Sequence, residues 1–505
     1  MADETPGSQR YYRAPCPGCG APVEFRSAQS AYAICGYCHS TVVRQGEVLS
    51  RIGKMAELFD DHSPLQLGAA GRASIDGREQ PFTLIGRLQY RASVGVWTEW
   101  NALLQDGSTA WLAEDNGAYV LARPLPPTQK AIPAATAFVV GAAETIGGQP
   151  YAVAFNEQVA LIAAEGELPK LPAIGQPFAL VELRDSQGRV LSIDYGTTPP
   201  VLSQGRAVEL PALQLTGLRD ASAREEKVRQ FACPHCGAPV QVQLATSKSC
   251  TCPACHSIID LSSGVGGELR SALQEEPVRP LIALGSSGLL QGVRWQVVGF
   301  QHRMGQAPGD DEMFGWSEYL LYNLQRGFTF LVDSEEGWSL VRPATGAPLV
   351  NEARQSAVFE GTAYQLQYSY QAETTYVEGE FYWPVARGQK TSNRDYAAGT
   401  KLLSMERTPT EVTWSAGSRM ASDAVAQSFG LNDKKDLLQR SDATPFSAAR
   451  SVGVGTIIIV IVVIIVLLLL LSMCSARCDP RYENCAASRT SGGSFGGFSS
   501  GGGHK

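Results

Sequence analysis

The 505-residue chain has no excess of positive charge: 42 Lys and Arg stand against 49 Asp and Glu, a formal net charge of −7. Nucleic-acid binding rests on basic surfaces that displace counterions. The first cysteine-rich segment offers mainly Arg13, Arg26 and Arg44 for that purpose, so no nucleic-acid partner is expected. Only six histidines are available for acid–base chemistry. No phosphate-binding loop, dinucleotide fingerprint, HExxH helix or nucleophile elbow occurs, which closes the usual motif routes to an enzyme. Helix-length amphipathic stretches are scarce, with 55–60, 220–228 and 423–438 as the exceptions. The opening Met-Ala-Asp-Glu-Thr-Pro-Gly is polar and acidic with no apolar run behind it, so a secretory leader is not expected. The bulk of the chain is therefore expected in the cytosol, where thiols stay reduced and bind metal rather than pair.

What is present is a pattern written twice. Cys16, Cys19, Cys35 and Cys38 return 217 positions later as Cys233, Cys236, Cys252 and Cys255, each quartet spanning 23 residues. Gly-Ala-Pro-Val follows the first pair in both copies, and His39-Ser and His256-Ser follow the second. Four thiolates on two Cys-x-x-Cys knuckles suit the closed tetrahedral geometry of structural Zn²⁺, so two zinc ions per chain are expected; rubredoxin-like iron is the lesser alternative. A segment of about 30 residues has no core to speak of, and metal must supply much of its folding energy. Such a site has no open position for catalysis. The Cys-x-x-Cys-His strings ending at His39 and His256 also fit c-type haem attachment. That reading needs export and would strand the other two cysteines of each quartet. Cys250 has Ala33 as its counterpart and reads as a spare thiol.

The duplication runs on. Phe82-Thr-Leu-Ile-Gly86 is answered by Trp295-Gln-Val-Val-Gly299, and Trp97-Thr-Glu99-Trp100 by Trp316-Ser-Glu318-Tyr319. Glu165-Gly166-Glu167 is answered by Glu378-Gly379-Glu380, and Asp194-Tyr195 by Asp395-Tyr396. Shared order over more than a hundred residues marks tandem units. Apolar runs broken by turns such as Glu114-Asp-Asn-Gly117 read as antiparallel strands. In a strand, each Glu of the Trp-x-Glu motif shares a face with the preceding Trp and opposes the aromatic after it. The plain reading has one aromatic packing the sheet and Glu lying at a rim or tying down a loop. The functional reading is a carboxylate-lined groove for a cation or amine, with Glu99, Trp100, Glu318, Tyr319, Glu380 and Asp395 as candidate ligand-binding residues and Glu167 and Asp194 extending it.

Residues 454–473 carry no charge in twenty positions. At ~1.5 Å per residue they span roughly 30 Å, the thickness of a bilayer core. The expected fold class is mainly β: two units of zinc ribbon plus antiparallel sheet or partly closed barrel, then one transmembrane helix and a disordered tail. The expected layout is ribbon 11–44, β domain 78–215, ribbon 228–262, β domain 280–420, linker 421–453, membrane helix 454–473 and Gly/Ser-rich tail 474–505. A single-pass inner-membrane protein with its bulk in the cytoplasm and its tail outside follows as the expected location.

The stretches from Gly86 to Val120 and from Gly299 to Val341, with the later Glu-Gly-Glu and Asp-Tyr marks, resemble the bacterial domain-of-unknown-function family 4178. The resemblance covers roughly 80–205 and 290–415 and is clearer in the second copy. The first departs from the pattern at Trp100-Asn-Ala and at Pro169. The resemblance implies no activity. It implies company with polyamine-synthase-like enzymes and small membrane proteins in envelope or stress-related systems. The resulting expectation is a membrane-anchored, zinc-binding scaffold that presents tandem β domains to a protein partner or a small cationic ligand. The alternative is an enzyme or enzyme subunit acting on an amine or lipid headgroup through Glu318 and Asp395.

Overall fold

The structure, a computed structural model, describes residues 12–440 apart from 46–47, 55–62, 76, 94, 116, 128–130, 220–228, 245–246, 262–269, 273, 275–277 and 324–325. The helices expected at 55–60 and 220–228, and everything expected beyond 440, lie outside the described residues.

Each unit closes into a ring of eight antiparallel strands. In the first, Arg78–Arg91 pairs with Val96–Leu104, which leads through Thr109–Asp115 and Ala118–Pro124 to Val201–Val208. The ring returns through Arg189–Asp194 and Pro177–Arg184 to Gln149–Leu168, which closes on Arg78–Arg91. The second repeats this order with Val293–Gln306, Met313–Asn323, Gly327–Ser334 and Gly337–Ala344. Val412–Met420, Lys401–Arg407, Lys390–Ala398 and Thr362–Phe381 complete that ring. The partly closed barrel expected from the sequence is thus a fully closed one, which leaves these strands no free edge.

Closure explains the Glu-Gly-Glu motif. Gly166 pairs with Gly86, and Gly379 with Gly299, where the longest strand of each barrel meets the first. Gly166 and Gly379 have φ of 72° and 96°, a region that L side chains rarely adopt. A Cβ on Gly86 would stand 2.0 Å from the Glu167 carbonyl oxygen. Two long strands coil around each other here because neither carries a side chain at the crossing.

Strand alternation sorts the side chains onto two faces. The outer faces are covered: Phe82, Leu84, Trp100 and Leu112 pack under Leu65 and Leu213 in the first unit. In the second, Trp295, Tyr319 and Trp338 pack under Val425 and Leu438. Those last two residues belong to Ser422–Ser428 and Lys435–Leu438, the described part of the expected 423–438 helix. The remaining outer faces meet each other. Tyr151, Val153, Leu183 and Leu191 of the first barrel share one core with Tyr364, Leu366, Tyr396 and Leu403 of the second. By strand register these are equivalent positions, so like face packs on like face.

The membrane anchor is corrected. Among the described residues no helix is long and apolar enough to cross a membrane. The α-helices there have seven and four residues, roughly 10 Å and 6 Å long, against the ~30 Å a span requires. The segment 454–473 lies outside the described residues. The transmembrane helix in the fold class, the inner-membrane location, the membrane partner and the membrane-anchored scaffold are therefore not carried forward.

Candidate functional site

In each ribbon the backbone wraps the cysteine pairs before any metal is considered. Cys16 N–H donates to the Ala21 carbonyl at 2.7 Å and Gly20 N–H to the Cys16 carbonyl at 2.8 Å, a tight knuckle in which Gly20 takes φ 78°. His39 and His256 close the second knuckles, where each is a non-glycine residue with positive φ, at 55° and 57°. Neither histidine belongs to the sulfur clusters.

The four sulfurs of each quartet lie within 4.8 Å of one another. Cys16–Cys38 and Cys19–Cys35 are 3.7 Å apart, and Cys233–Cys255 and Cys236–Cys252 are 3.8 and 3.6 Å apart. Tetrahedral zinc with bonds of ~2.3 Å requires an S···S edge of ~3.8 Å, whereas a disulfide would need ~2.05 Å. All eight thiols are free. The two clusters can therefore chelate a metal. Ser40, through its hydroxyl and its backbone, holds the Cys38 thiol down at about 6, and Ser257 does the same for Cys255. Cys250 is buried with Val240, Val242 and Ile259 in the ribbon core, outside the four-sulfur group.

The ribbons are not separate beads. Tyr32–Ile34 and Ser249–Thr251 add to the end of the longest barrel strand in each unit. Glu167 accepts from Arg26 N–H at 2.6 Å and Ser27 N–H at 3.1 Å. Glu380 accepts from Gln243 N–H, Leu244 N–H and the Ser247 hydroxyl at 2.8, 2.9 and 2.7 Å. The second glutamate of each Glu-Gly-Glu is thus a clamp that fastens ribbon to barrel. Trp100 and Tyr319 likewise lie on the outer faces: Trp100 donates to Glu114 at 3.0 Å, and the Tyr319 hydroxyl accepts from Leu281 N–H at 2.9 Å.

Glu99, Glu318 and Asp395 are the candidates that face the lumens. The second lumen is polar. The Glu318 carboxylate accepts from Trp316 Nε1 at 2.5 Å and Gln301 Nε2 at 2.6 Å, with Arg303 Nη1 at 3.6 Å. Arg303 also binds Glu406 at 2.7 Å and the Thr391 hydroxyl at 2.7 Å, and lies 5.5 Å over the Trp316 ring. Burial alone would lower its pKa, but Glu406 and Glu318 outweigh that and keep the guanidinium charged. Thr391 donates to Asn393, and Ser404 to Asp395 at 2.6 Å. Both oxygens of Glu318 thus accept from donors of the barrel wall.

Around this network lies a cavity of about 550 Å³. Six carboxylates and two guanidinia line it, among aromatic side chains that include Phe330, Tyr368 and Trp383. Arg303, Glu406, Glu336 and Glu411 belong to this wall and were not singled out in the sequence. For Arg303 the signal was a charged residue at a position where the other copy has Tyr90.

Register makes that comparison exact in position. Opposite Glu99 and Trp97 stand Leu88 and Tyr90, where the second copy has Gln301 and Arg303. Phe178 and Leu180 likewise correspond to Thr391 and Asn393. The first lumen is filled: Tyr90 stacks on Trp97 at 5.5 Å and meets Phe178 at 6.1 Å, and Trp97 meets Phe155 at 6.4 Å. The register also corrects one sequence equivalence. Asp395 corresponds to Glu182, and Asp194 to Glu406. Lys170, 2.5 Å from Asp194, supplies the cation that Arg303 provides in the second copy.

Glu99 lacks an arginine neighbour, and burial raises it to about 7, with Lys170 and Trp97 opposing and Asp194 and Glu182 adding to the rise. A carboxyl raised from 4.5 folds most favourably while protonated. Its contribution is complete below about 4.5 and is lost as pH climbs through about 7. Glu99→Gln is therefore expected to flatten the fall in stability between pH 5 and pH 8 by on the order of 1–3 kcal/mol. Urea midpoints at the two pH values measure this, and an unchanged slope would contradict the assignment.

No curated protein and no solved structure shows a significant match to the chain. The family model described as a domain of unknown function, DUF4178, matches residues 73–210 and 283–422. These two stretches cover both barrels and more than half of the sequence. Each follows a four-cysteine cluster. The chain belongs to the DUF4178 family and carries its domain twice.

Proposed function

We propose that the chain is a binding protein whose second barrel receives a small organic cation, and that both ribbons are structural zinc sites. The observation that supports this best is the contrast between the lumens: one filled by aromatic rings, the other hollow with six carboxylates against two guanidinia. Three of those carboxylates, Glu318, Glu406 and Glu336, share the two guanidinia of Arg303 and Arg419. The surplus of negative charge over aromatic walls favours an amine with an apolar body. The sulfur spacing supports zinc, and the closed coordination supports a structural rather than catalytic role.

Titration calorimetry with phenethylammonium, against neutral 2-phenylethanol, tests the site. The amine is expected to bind saturably and the alcohol not, with Asp395→Asn weakening the amine by about tenfold, one lost charge-assisted contact. Equal binding of the two probes, or none by the amine, would refute the reading.

A further inference from the structure

We infer, resting on the reading above, that the binding site of the second barrel is completed by the first copy. The first copy supplies its outer wall while its own lumen serves as packed core, so each chain takes one cation rather than two. The cavity's lining crosses between copies: Gly95, Val96 and Trp97, at the turn between the first two strands of barrel one, and Asp115, at the end of the third, face the same space as Glu406 and Glu411.

That juxtaposition is held in place. The shared core fixes the barrels face to face. At the mouth, Phe155 bridges to Glu411, Asn156 N–H donates to the Thr410 carbonyl at 3.4 Å, and Arg407 donates to the Val140 carbonyl at 2.8 Å. The mouth segment of the second barrel is thus hydrogen-bonded to strand and turn residues of the first. Its electrostatics are shared as well: burial raises Glu411 to about 7, Arg184 opposes this, and Asp115 and Glu182 reinforce it, all three from the first copy.

Among the described residues the first lumen is packed with apolar side chains where the second is polar. Four positions that are polar in the hollow barrel, at Gln301, Arg303, Thr391 and Asn393, are Leu88, Tyr90, Phe178 and Leu180 there. The first copy therefore acts as part of the wall and as a determinant of ligand fit, since Asp115 lines the same cavity as the Arg303–Glu406 pair.

The test uses the full chain and phenethylammonium in calorimetry. One site per chain is expected, weakened about fivefold by Asp115→Asn, with the surface control Asp310→Asn unchanged. Asp115 is exposed, so its variant should keep the wild-type melting curve. Two sites per chain, or wild-type affinity in Asp115→Asn beside weakened binding in Asp395→Asn, would overturn this inference and leave the cation site standing. Equal weakening by Asp310→Asn would also overturn it, because a general field would then explain the effect. Absence of saturable binding in the wild type would remove both.

Discussion

Replacing Cys252 with Ser is expected to cut the metal content of the purified chain from two ions to one and to release the second ribbon from its barrel. Cys252 is fully buried, and its ribbon core is small: Val240, Val242, Ile259 and Leu261 with the cysteines. Apparent zinc affinities for such segments are ~10–16 kcal/mol, so little besides the metal keeps this one folded. The loss spreads because the ribbon continues the barrel sheet. The Ser249 to Phe381 pairing and the bonds to Glu380 all depend on the ribbon's position. A fall in melting temperature of roughly 5–15 °C is expected, with the barrel still folded. Hydrogen exchange gives the sharper readout: Gln243 and Leu244 amides should lose protection in the variant and in chelator-treated wild type. Two bound ions in the variant, or protection that survives chelation, would contradict the structural role of the metal.

Arg303→Met should cost about 3 kcal/mol or more near neutral pH. The side chain leaves Glu318 and Glu406 facing each other without a cation, and breaking a buried pair from one side typically costs ~3–5 kcal/mol. Glu406 is about a third exposed, at 36%, which argues for the lower end. Adding Glu318→Gln and Glu406→Gln to the variant should recover most of the loss, since the unpaired charges are then gone. A full mutant cycle by urea denaturation measures this coupling. A single-variant effect below about 1 kcal/mol would mean that water already screens the network.

Much of this was legible in the residues. The cysteine quartets declared their own geometry, because a knuckle is local. The Trp-x-Glu motifs gave the two faces correctly, since alternation is a property of any strand, and the structure puts Trp100 and Tyr319 opposite Glu99 and Glu318. Closure was not legible. It depends on pairing between Gly86 and Gly166, eighty residues apart, and glycine carries no pattern of its own. The role of Glu380 was misplaced for a related reason: its partners, Gln243 and Leu244, lie 137 and 136 residues upstream and use backbone amides, which every sequence has. The false equivalence of Asp194 with Asp395 arose because two neighbouring strands carry similar Asp-Tyr pairs. Only register tells them apart. The hollow lumen was invisible for the same reason, since Arg303 becomes meaningful only once it is known to replace Tyr90.

The meeting of equivalent outer faces is what two separate, identical subunits would do around a twofold axis. In such a homodimer every substitution is made twice, so a lumen could not be emptied on one side and filled on the other. Joining the halves in one polypeptide removes that constraint. Arg303 could arise in one half while Tyr90 remained in the other, and the assembly kept its interface throughout. The tandem is in this sense a dimer freed from its symmetry, with one half available for recognition and the other for holding it in shape.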